Sequence, residues 1–496
     1  MKRYLHNKSH YHLITSRMGQ ITPISGFEVL AGDTVQIQNS GLIRVSPPAT
    51  PVMHPVTVQF YNFFVPNRIL DPEDGSFSWA DFITGGEDGL YVTPPPRVTG
   101  ATVNQGSVAE AFGITPGTRN YNTFLMKAYA SIVNEYFRDQ QIETKLDIDS
   151  YDGTASPSLA AWERDYFTSC RESDLLGPEV TLPLGARAPL EGLYYQDSVT
   201  PSNLIHDLND GAAGPPQPDA RSVWTDIVNN PDGNSGAPTA YADLSAAGAI
   251  NVNDLREAMA LQRYQEARNM YGARFTEYLR YLGISSSDGR LQRPEMISTG
   301  RSVINFSEVL QTTDGFATSE NNNPLGTMGG HGIAGVRSKK ARYFCEEHGH
   351  IISLQVVRPK TIYTTTQHRQ FDRFDKETYW QKELQAIGME EVLNSELDID
   401  HSDPTGVFGY NNRYESFKKV PSRVSGDFRD TLDSWHLARD AIDLGVDPSL
   451  NKTFIECNPS DRIYWDTSSD DKLWCTIRNK VAVRSLLRKS TQNFIL

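Results

Sequence analysis

The chain has 496 residues, 38% of them hydrophobic and 22% charged, which is the composition of a soluble globular protein. No run of about 18 apolar residues occurs and the start of the chain is polar, so the sequence predicts neither insertion in a membrane nor a secretory signal. Four cysteines without a CxxC pair argue against a zinc ribbon and a disulfide framework, and we expect reduced, mostly buried thiols.

The net charge of −14 is unevenly distributed along the chain. The stretch 191–252 holds eight acids and one base, and so contributes half of the total. Residues 1–20 carry four bases and no acid, and residues 472–489 carry six bases and no acid. This segregation predicts an acidic outer surface and basic termini that face an anionic partner.

Several segments have the pattern of β-strands. Residues 20–46 contain short apolar runs divided by Gly and Asp, which indicates strands joined by turns. Residues 55–65 are apolar on both faces, as expected for a strand buried in a sandwich, and residues 350–357 are a further strand. The segments 279–311 and 330–335, in contrast, are interpreted as connections.

Two segments have a helical pattern. Residues 121–139 carry apolar side chains four apart, which predicts a helix of about five turns. A second helix is predicted to begin at Asn253 or Asp254, either of which is a good N-cap, and to run to Leu282. Gly283 then supplies the left-handed residue that commonly ends a helix.

The stretch 191–252 differs from both of its neighbours, because it is acidic, rich in turn residues and poor in apolar anchors. A loop of this length inside a compact domain is usually functional or disordered. We interpret it as a surface insertion. Its candidate functional residues are Asp197, Asp207, Asp210, Asp219, Trp224, Asp226, Asp232 and Asp243.

Strands separated by long, partly helical connections favour a mainly β fold, an eight-stranded jelly roll with long, partly helical insertions. No internal repeat marks a domain boundary. We therefore expect a basic N-terminal arm over residues 1–20 and a single jelly-roll domain over residues 21–496, with the acidic insertion inside it.

Sequence motifs for catalysis or cofactor binding are weak. The GHGIAG segment at 330–335 satisfies GxGxxG, but no strand pattern precedes it and no helix pattern follows it, so nucleotide binding is disfavoured. Cys345, His348 and His350 lack a second ligand pair at zinc spacing. GxSxG, HExxH and the P-loop are absent from the sequence. We expect no enzyme, no cofactor and no metal.

The basic termini are interleaved with Tyr4, Tyr11 and Trp474, and cations together with aromatic rings are what a sequence-tolerant single-stranded DNA surface uses. The simpler alternative is that arginines on a strand or helix at 481–487 merely face solvent. The candidate DNA-binding residues are Lys2, Arg3, Lys8, Arg17, Arg478, Lys480, Arg484, Arg488 and Lys489.

Six segments together resemble one known family. They are HPVTVQFYNFFVPNRIL at 54–70, IVNEYFRDQ at 132–140, RDYFTS at 164–169, LRYLGISSSDGRLQRPEMISTGRSVINFSEVLQ at 279–311, the pair GHGIAG at 330–335 with EEHGHIISLQVVRP at 346–359, and LDSWHLARD at 432–440. In order and spacing they resemble the major capsid protein of the microviruses, icosahedral bacteriophages with single-stranded DNA, and most closely the gokushovirus group.

The resemblance implies a T=1 shell of about 60 copies around a circular single-stranded DNA genome. It also implies an internal scaffolding protein, a pilot protein, a small basic DNA-associated protein and a host-cell surface receptor that meets the exposed insertion. The protein would belong to the virion and be assembled in the bacterial host cytoplasm.

One part of the chain departs from the family pattern. The ending LLRKSTQNFIL replaces the usual proline-containing one, so the N-terminal arm is the better candidate for DNA contact. The alternative identity is a non-viral carbohydrate-binding β-sandwich, which would form small oligomers and not particles.

Overall fold

The computed structural model describes residues 3–178, 180, 190–191, 194–195, 206–207, 241–242, 252–272, 274–310, 312, 328–468 and 471–488. The strands are β1 Tyr4–Asn7, β2 His10–Ser16, β3 Ile21–Val29, β4 Thr34–Val45, β5 Val56–Pro66, β6 Arg97–Val103, β7 Gly117–Asn122, β8 Leu190–Glu191, β9 Tyr194–Tyr195, β10 His206–Asp207, β11 Tyr241–Ala242, β12 Glu295–Leu310, β13 Met328–Arg337, β14 Ala341–Phe344, β15 Gly349–Pro359, β16 Met389–Leu393, β17 Val407–Asn412 and β18 Leu473–Ser485. The helices are α1 Trp79–Thr84, α2 Val108–Ala111, α3 Phe124–Ile132, α4 Val252–Tyr271, α5 Phe275–Tyr281, α6 Asn394–Leu397, α7 Ala441–Leu444 and α8 Lys452–Ile455.

The main sheet is antiparallel and has the order β1-β18-β4-β13-β12-β5-β15-β3, with β2 also paired to β18 and β14 to β4. The long strand β12 joins two sides of this sheet, because its first part pairs with β5 and its last six residues pair with β13. We call the part from β1 to β13 the β18 side, and the part from β5 to β3 the β5 side. The predicted mainly β, jelly-roll fold is confirmed.

The two sides pack face to face around one core. Ile43 of β4 and Ile477 of β18 belong to the same buried cluster as Val58 and Phe60 of β5, and all four side chains are fully buried. Burying one such side chain stabilises the fold by roughly 1.5–3 kcal/mol. Alternating apolar residues on β18 and β4 therefore fix which face of the β18 side turns inward.

The outer faces of the two sides differ. On the β5 side, α3 and the π-helical turn Val133–Phe137 cover the sheet, and the rings of Phe63 and Tyr136 lie 4.8 Å apart between their centroids. On the β18 side, alternate residues of β18 are exposed. The β5 side is thus buried on both faces, which explains the two-sided apolar pattern of β5.

A buried polar chain crosses the core between the two sides. Asn39 Nδ2 donates hydrogen bonds to Asn479 Oδ1 at 2.7 Å and to Ser353 Oγ at 3.2 Å. Ser353 Oγ donates to Asn62 Oδ1 at 2.6 Å, and Asn62 Nδ2 donates to Ser298 Oγ at 2.9 Å. The chain joins β18 and β4 to β15, β5 and β12.

The predicted strands over residues 20–46, 55–65 and 350–357 are confirmed as β3 with β4, β5 and β15. The interpretation of residues 279–311 as a connection is wrong, because Glu295–Leu310 is the strand β12. Its many exposed side chains hide it from a search for apolar alternation. It is a strand nevertheless, because its first part pairs with β5 and its last six residues pair with β13.

The interpretation of the GHGIAG segment as a flexible connection is also wrong, because it lies within β13. A Cβ on Gly330 would lie 2.6 Å from the carbonyl oxygen of Thr50, and one on Gly332 would lie 2.8 Å from a methyl group of Val45. These glycines therefore allow close packing of a strand and do not mark a turn.

The helix predicted over 121–139 is confirmed by α3 and the π-helical turn that follows it. The second helical prediction is partly wrong. The helix α4 begins at Val252, so neither Asn253 nor Asp254 is its N-cap, and α4 ends before Gly272, whose φ of 100° cannot continue a right-handed helix. The helix α5 then follows, and Gly283 has the expected left-handed φ of 78°.

Contacts divide the chain into two compact units, residues 1–174 with 269–496, and residues 175–268. The second unit is wider than the predicted insertion at 191–252, most of which lies outside the described residues. Near the ends of that predicted insertion, Tyr241–Ala242 pairs with Leu190–Glu191.

Among the helices of the described residues, none is both long and apolar enough to span a membrane. All four cysteines are free and buried.

Candidate nucleic-acid interface

The outer face of the β18 side carries the C-terminal basic residues. Along β18, Cys475, Ile477, Val481 and Val483 point into the core, and the residues between them point out. The exposed set includes Trp474, Thr476, Arg478, Lys480 and Arg484. A strand places alternate side chains on opposite faces, so every second residue of this segment is presented to solvent on one surface.

The N-terminal strands extend this surface on one edge of β18. Tyr11 of β2 lies opposite Arg478, and the guanidinium carbon of Arg478 is 5.8 Å from the centre of the Tyr11 ring. Leu5 of β1 lies opposite Arg484. The two basic ends, which are far apart in the sequence, are therefore neighbours in one sheet.

The other edge adds three arginines that sequence reasoning missed. Arg44 of β4 lies opposite Trp474, Arg342 of β14 lies opposite a glutamine of β4, and Arg337 of β13 is exposed beside them. Arg337 Nη2 donates to Gln38 Oε1 at 3.0 Å. Arg337 and Arg342 belong to a third basic cluster, with Lys339 and Lys340 between them, so the charge density of residues 337–342 could have indicated this edge. Arg44 is isolated in its segment, and only the alternation of polar residues on β4 could have indicated it.

Of the predicted N-terminal bases, Arg3 belongs to this surface. Its guanidinium carbon lies 5.2 Å from the centre of the Phe344 ring, and its Nη1 donates to Thr34 Oγ1 at 3.4 Å. Arg17 is instead paired with Asp471 at 3.7 Å. Lys8 Nζ donates to the carbonyl oxygen of Glu28 at 2.8 Å. Arg17 and Lys8 thus already have partners within the chain.

Only two of the remaining predicted residues, Asp207 and Arg488, lie among the described residues. Arg488 is exposed just beyond the end of β18. Lys2 and Lys489 lie outside the described residues. Asp207 lies in the short strand β10, which pairs with β9. Also outside the described residues are Asp197, Asp210, Asp219, Trp224, Asp226, Asp232 and Asp243.

We call the resulting surface the basic face. It consists of Arg3, Arg44, Arg337, Arg342, Arg478, Lys480 and Arg484, with the exposed rings of Tyr11, Phe344 and Trp474 among them. Guanidinium and ammonium groups bind phosphates, and the rings offer flat surfaces on which unpaired bases stack. The arrangement is chemically suited to a single strand of nucleic acid without regard to its sequence.

Cys345, His348 and His350, which were considered above as possible zinc ligands, do not come together. The thiol of Cys345 lies inside the sandwich with Val29 and Val35, whereas the ring of His348 lies 6.0 Å from that of Trp79 and the ring of His350 lies near helix α3. Burial lowers the pKa of His350 to about 4. Within the described part of the chain, no group of three or more His, Cys, Asp or Glu residues is placed to hold a metal ion.

The sequence matches the family model "Capsid protein (F protein)" over residues 1–484. The chain belongs to this family of phage capsid proteins. The capsid protein VP1 of Bdellovibrio phage phiMH2K is 30% identical, with 90% of this chain and 86% of the relative aligned. The capsid protein VP1 of Chlamydia phage 1 is 27% identical over 93% of this chain and 90% of the relative.

A more distant member, the capsid protein F of Escherichia phage G4, is 22% identical over 72% of this chain and 66% of that protein. The resemblance to microvirus capsid proteins of the gokushovirus type is therefore confirmed. The family consists of structural proteins of the virion that associate with themselves, and not of enzymes. The carbohydrate-binding alternative is accordingly set aside.

Proposed function

We propose that this capsid protein assembles into a T=1 icosahedral shell of about 60 copies around a circular single-stranded DNA genome. The observation that carries the proposal is the basic face. Capsid membership supports a closed shell, and a shell needs one surface that tolerates nucleic acid of any sequence. The β18 side offers seven bases and three exposed rings on one face of a rigid sheet.

The charge of the whole chain calls for additional partners. At −14 per chain, about 60 copies would carry roughly −840, so the bulk charge of the shell repels a polyanionic genome. Local basic surfaces and a separate small basic DNA-associated protein would offset this repulsion. We include that protein, an internal scaffolding protein and a pilot protein among the partners, with assembly in the bacterial host cytoplasm.

The test of the DNA contact removes three bases from the basic face. In the variant Arg478→Gln/Lys480→Gln/Arg484→Gln, we expect weaker binding of an oligo-dT strand and a smaller dependence of affinity on salt. The slope of log affinity against log salt should fall by roughly 2, because each phosphate contact on a single strand contributes about 0.7. Fluorescence anisotropy at several salt concentrations measures this slope.

The matched control removes the same charge from exposed residues elsewhere, in Arg290→Gln/Lys382→Gln/Arg423→Gln. The control should keep the wild-type slope. Equal slopes for the basic-face variant and wild type would remove these three residues from the DNA contact.

Shell formation is tested by electron microscopy of the full chain expressed with its scaffolding partner. We expect uniform icosahedral particles that contain nucleic acid. Small oligomers alone, with scaffold present, would contradict the proposed shell.

We also propose that the acidic insertion meets the host-cell receptor. Its charge and turn-rich composition support an exposed position. Replacing residues 208–240 by a short Gly-Ser linker keeps Tyr241–Ala242 and its partner strand. Particles should still form and should no longer adsorb to host cells. The same linker inserted after the exposed Gly75 serves as the control, and loss of particles from the replacement would make the insertion a structural element.

A further inference from the structure

A polar cavity of about 420 Å³ lies on the covered side of the fold, away from the basic face. Its walls come from the chain after α3, from the segment 161–168, and from β12 and β15. These elements all belong to the compact unit that contains the jelly roll. The volume falls within the roughly 300–1,000 Å³ of small-molecule sites in proteins.

The lining of this cavity is strongly cationic. Its two acids are Asp139 and Glu163. Its five bases are Arg138, Arg164, Arg274, Arg301 and Arg358. The lining side chains therefore carry a net charge of +3, in a chain whose total charge is −14. We call this site the arginine cavity.

The two acids are already shared between bases. Glu163 lies 2.8 Å from Arg301 and 3.0 Å from Lys360. Asp139 lies 3.5 Å from Arg171 and 3.8 Å from Arg164. Arg171 and Lys360 thus take part of the available negative charge. Glu277 in turn lies 3.8 Å from Arg274, and Glu135 also acts on that guanidinium, so the excess of positive charge around the cavity stays close to that of the lining.

Three of the guanidinium groups retain unused donors. The Nε atoms of Arg138, Arg274 and Arg358 are buried and have no hydrogen-bond partner among the described residues. A buried donor without a partner is unfavourable in any protein. Burial also lowers the pKa of Arg274, which shows that its positive charge is poorly solvated. These three Nε atoms are closed off from the cavity, so an anion there would accept hydrogen bonds from the more exposed Arg164 and Arg301 and would offset the poorly solvated charge of Arg274.

We propose that the arginine cavity binds a phosphate dianion, either free inorganic phosphate or the monoester phosphate of a nucleoside monophosphate. A monoester carries a charge of about −1.5 to −2 at neutral pH and three acceptor oxygens, which suits several converging guanidinium forks. A phosphodiester inside a DNA strand carries a single negative charge, which matches this excess less well. The inference is independent of the DNA contact on the basic face, because the two sites share no residue.

The test uses the full-length protein and measures its thermal unfolding in sodium phosphate against sodium chloride of equal ionic strength. Phosphate should raise the unfolding temperature in a saturable way, since a ligand that binds only the folded state stabilises it. Deoxyadenosine monophosphate and deoxyadenosine are compared in parallel. Tighter binding of the monophosphate than of phosphate would identify a nucleotide as the ligand, and equal binding would identify inorganic phosphate.

Two variants with opposite expected effects on phosphate affinity separate binding from general stability. Arg164 and Arg301 have side chains that are 68% and 58% exposed, so Arg164→Gln/Arg301→Gln should fold and bind phosphate at least tenfold more weakly. Glu163→Gln removes a competing carboxylate and should bind phosphate more tightly. Arg290→Gln, an exposed arginine outside the cavity, should bind as wild type does.

The proposal is overturned by any of three results. One is a wild-type protein that phosphate stabilises no more than chloride does. The second is deoxyadenosine binding as well as its monophosphate, since the phosphate would then contribute nothing. The third is unchanged phosphate affinity in both the double arginine variant and Glu163→Gln.

Discussion

Glu143 is a partly buried carboxyl group whose surroundings disfavour its charge. Burial raises its pKa to about 7, and the neighbouring acids Glu456 and Asp139 act in the same direction. Its Oε1 atom is buried without a hydrogen-bond partner in the described part of the chain. The carboxylate therefore destabilises the folded protein at neutral and higher pH.

The consequence for stability has a definite sign. The pKa of Glu143 is raised in the folded state. The stability that the protonated carboxyl group contributes is therefore fully present below pH 4.5 and is lost as pH rises through about 7. Glu143→Gln should therefore be more stable than wild type at pH 8, by about 1 kcal/mol after allowance for its partial exposure, and equally stable at pH 4. Urea unfolding at both pH values measures the difference. The exposed Glu172→Gln is the control, and a variant equal to wild type at pH 8 contradicts the argument.

His54 has the opposite dependence on pH. It is 4% exposed, and burial lowers its pKa to about 4, with further lowering from His436 and Arg462. Its Nε2 lies 2.8 Å from the carbonyl oxygen of Lys360, which matches a neutral ring that donates there. The folded state therefore resists protonation that the unfolded chain accepts.

The stability that depends on neutral His54 is lost as pH falls from 6.5 towards 4. In His54→Gln, whose amide can still donate to Lys360, the loss of stability between pH 7 and pH 4 should be smaller by roughly 2 kcal/mol. Chemical unfolding of wild type and variant across this range provides the measurement. The exposed His331→Gln is the control. Parallel curves for His54→Gln and wild type would show that another group carries the acid sensitivity.

Among the elements, β13 shows most clearly how glycine can pack a strand. A Cβ on Gly332 would lie 2.8 Å from Val45 and 2.9 Å from Phe306, which is too close unless one of the neighbours shifts. Gly335 belongs to the same strand and has open space where a Cβ would be. The two positions form a matched pair within one element.

Gly332→Ala should destabilise the protein by about 1–3 kcal/mol, because it overpacks a closed contact. Gly335→Ala should be neutral or slightly stabilising, since alanine reduces the freedom of the unfolded chain. The midpoints of urea unfolding compare the two variants. A cost at Gly335 equal to that at Gly332 would mean that backbone freedom, and not packing space, explains both glycines.

Across the whole molecule, the buried polar chain through Asn39 joins the two sides of the sandwich. Asn39 is fully buried and bonds to Asn479, Ser353 and Ser338. Hydrogen bonds inside a protein are costly to leave incomplete. The chain thus stabilises one relative register of the two sides over alternatives that apolar contacts alone would permit.

Asn39→Ala should lower the free energy of unfolding by about 2–3 kcal/mol, because it leaves buried partners unsatisfied. Its neighbour Ser40 lies on the outer face, and Ser40→Ala should change stability by less than about 0.5 kcal/mol. Equilibrium unfolding of both variants tests the contrast. Equal effects at the two positions would show that the polar chain contributes no more than a surface hydroxyl.

Particular elements show how far sequence reasoning reached. The strand over 55–65 and the helix over 121–139 were predictable because local periodicity matches their burial. The strand β12 was not, because most of its last ten residues face solvent and the first part of it pairs with β5, which lies far earlier in the sequence. The break at Gly272 was hidden because the apolar spacing continues across it.

The candidate DNA site was predictable only in part. The termini indicated Arg3, Arg478, Lys480 and Arg484 because several bases lie close together in each. Arg44, Arg337 and Arg342 complete the same face but come from three different strands. Arg17 appeared equivalent to Arg3 in the sequence, yet it has an acidic partner, Asp471, from the other end of the chain.

The sequence by itself determined the family, the mainly β class and the charge segregation, since these depend on residue order, local alternation and composition. Only the tertiary structure decided that both termini share one sheet and that arginines from distant segments surround one cavity. Strand pairing and core packing join residues hundreds of positions apart, and local periodicity carries no information about which distant segments will meet.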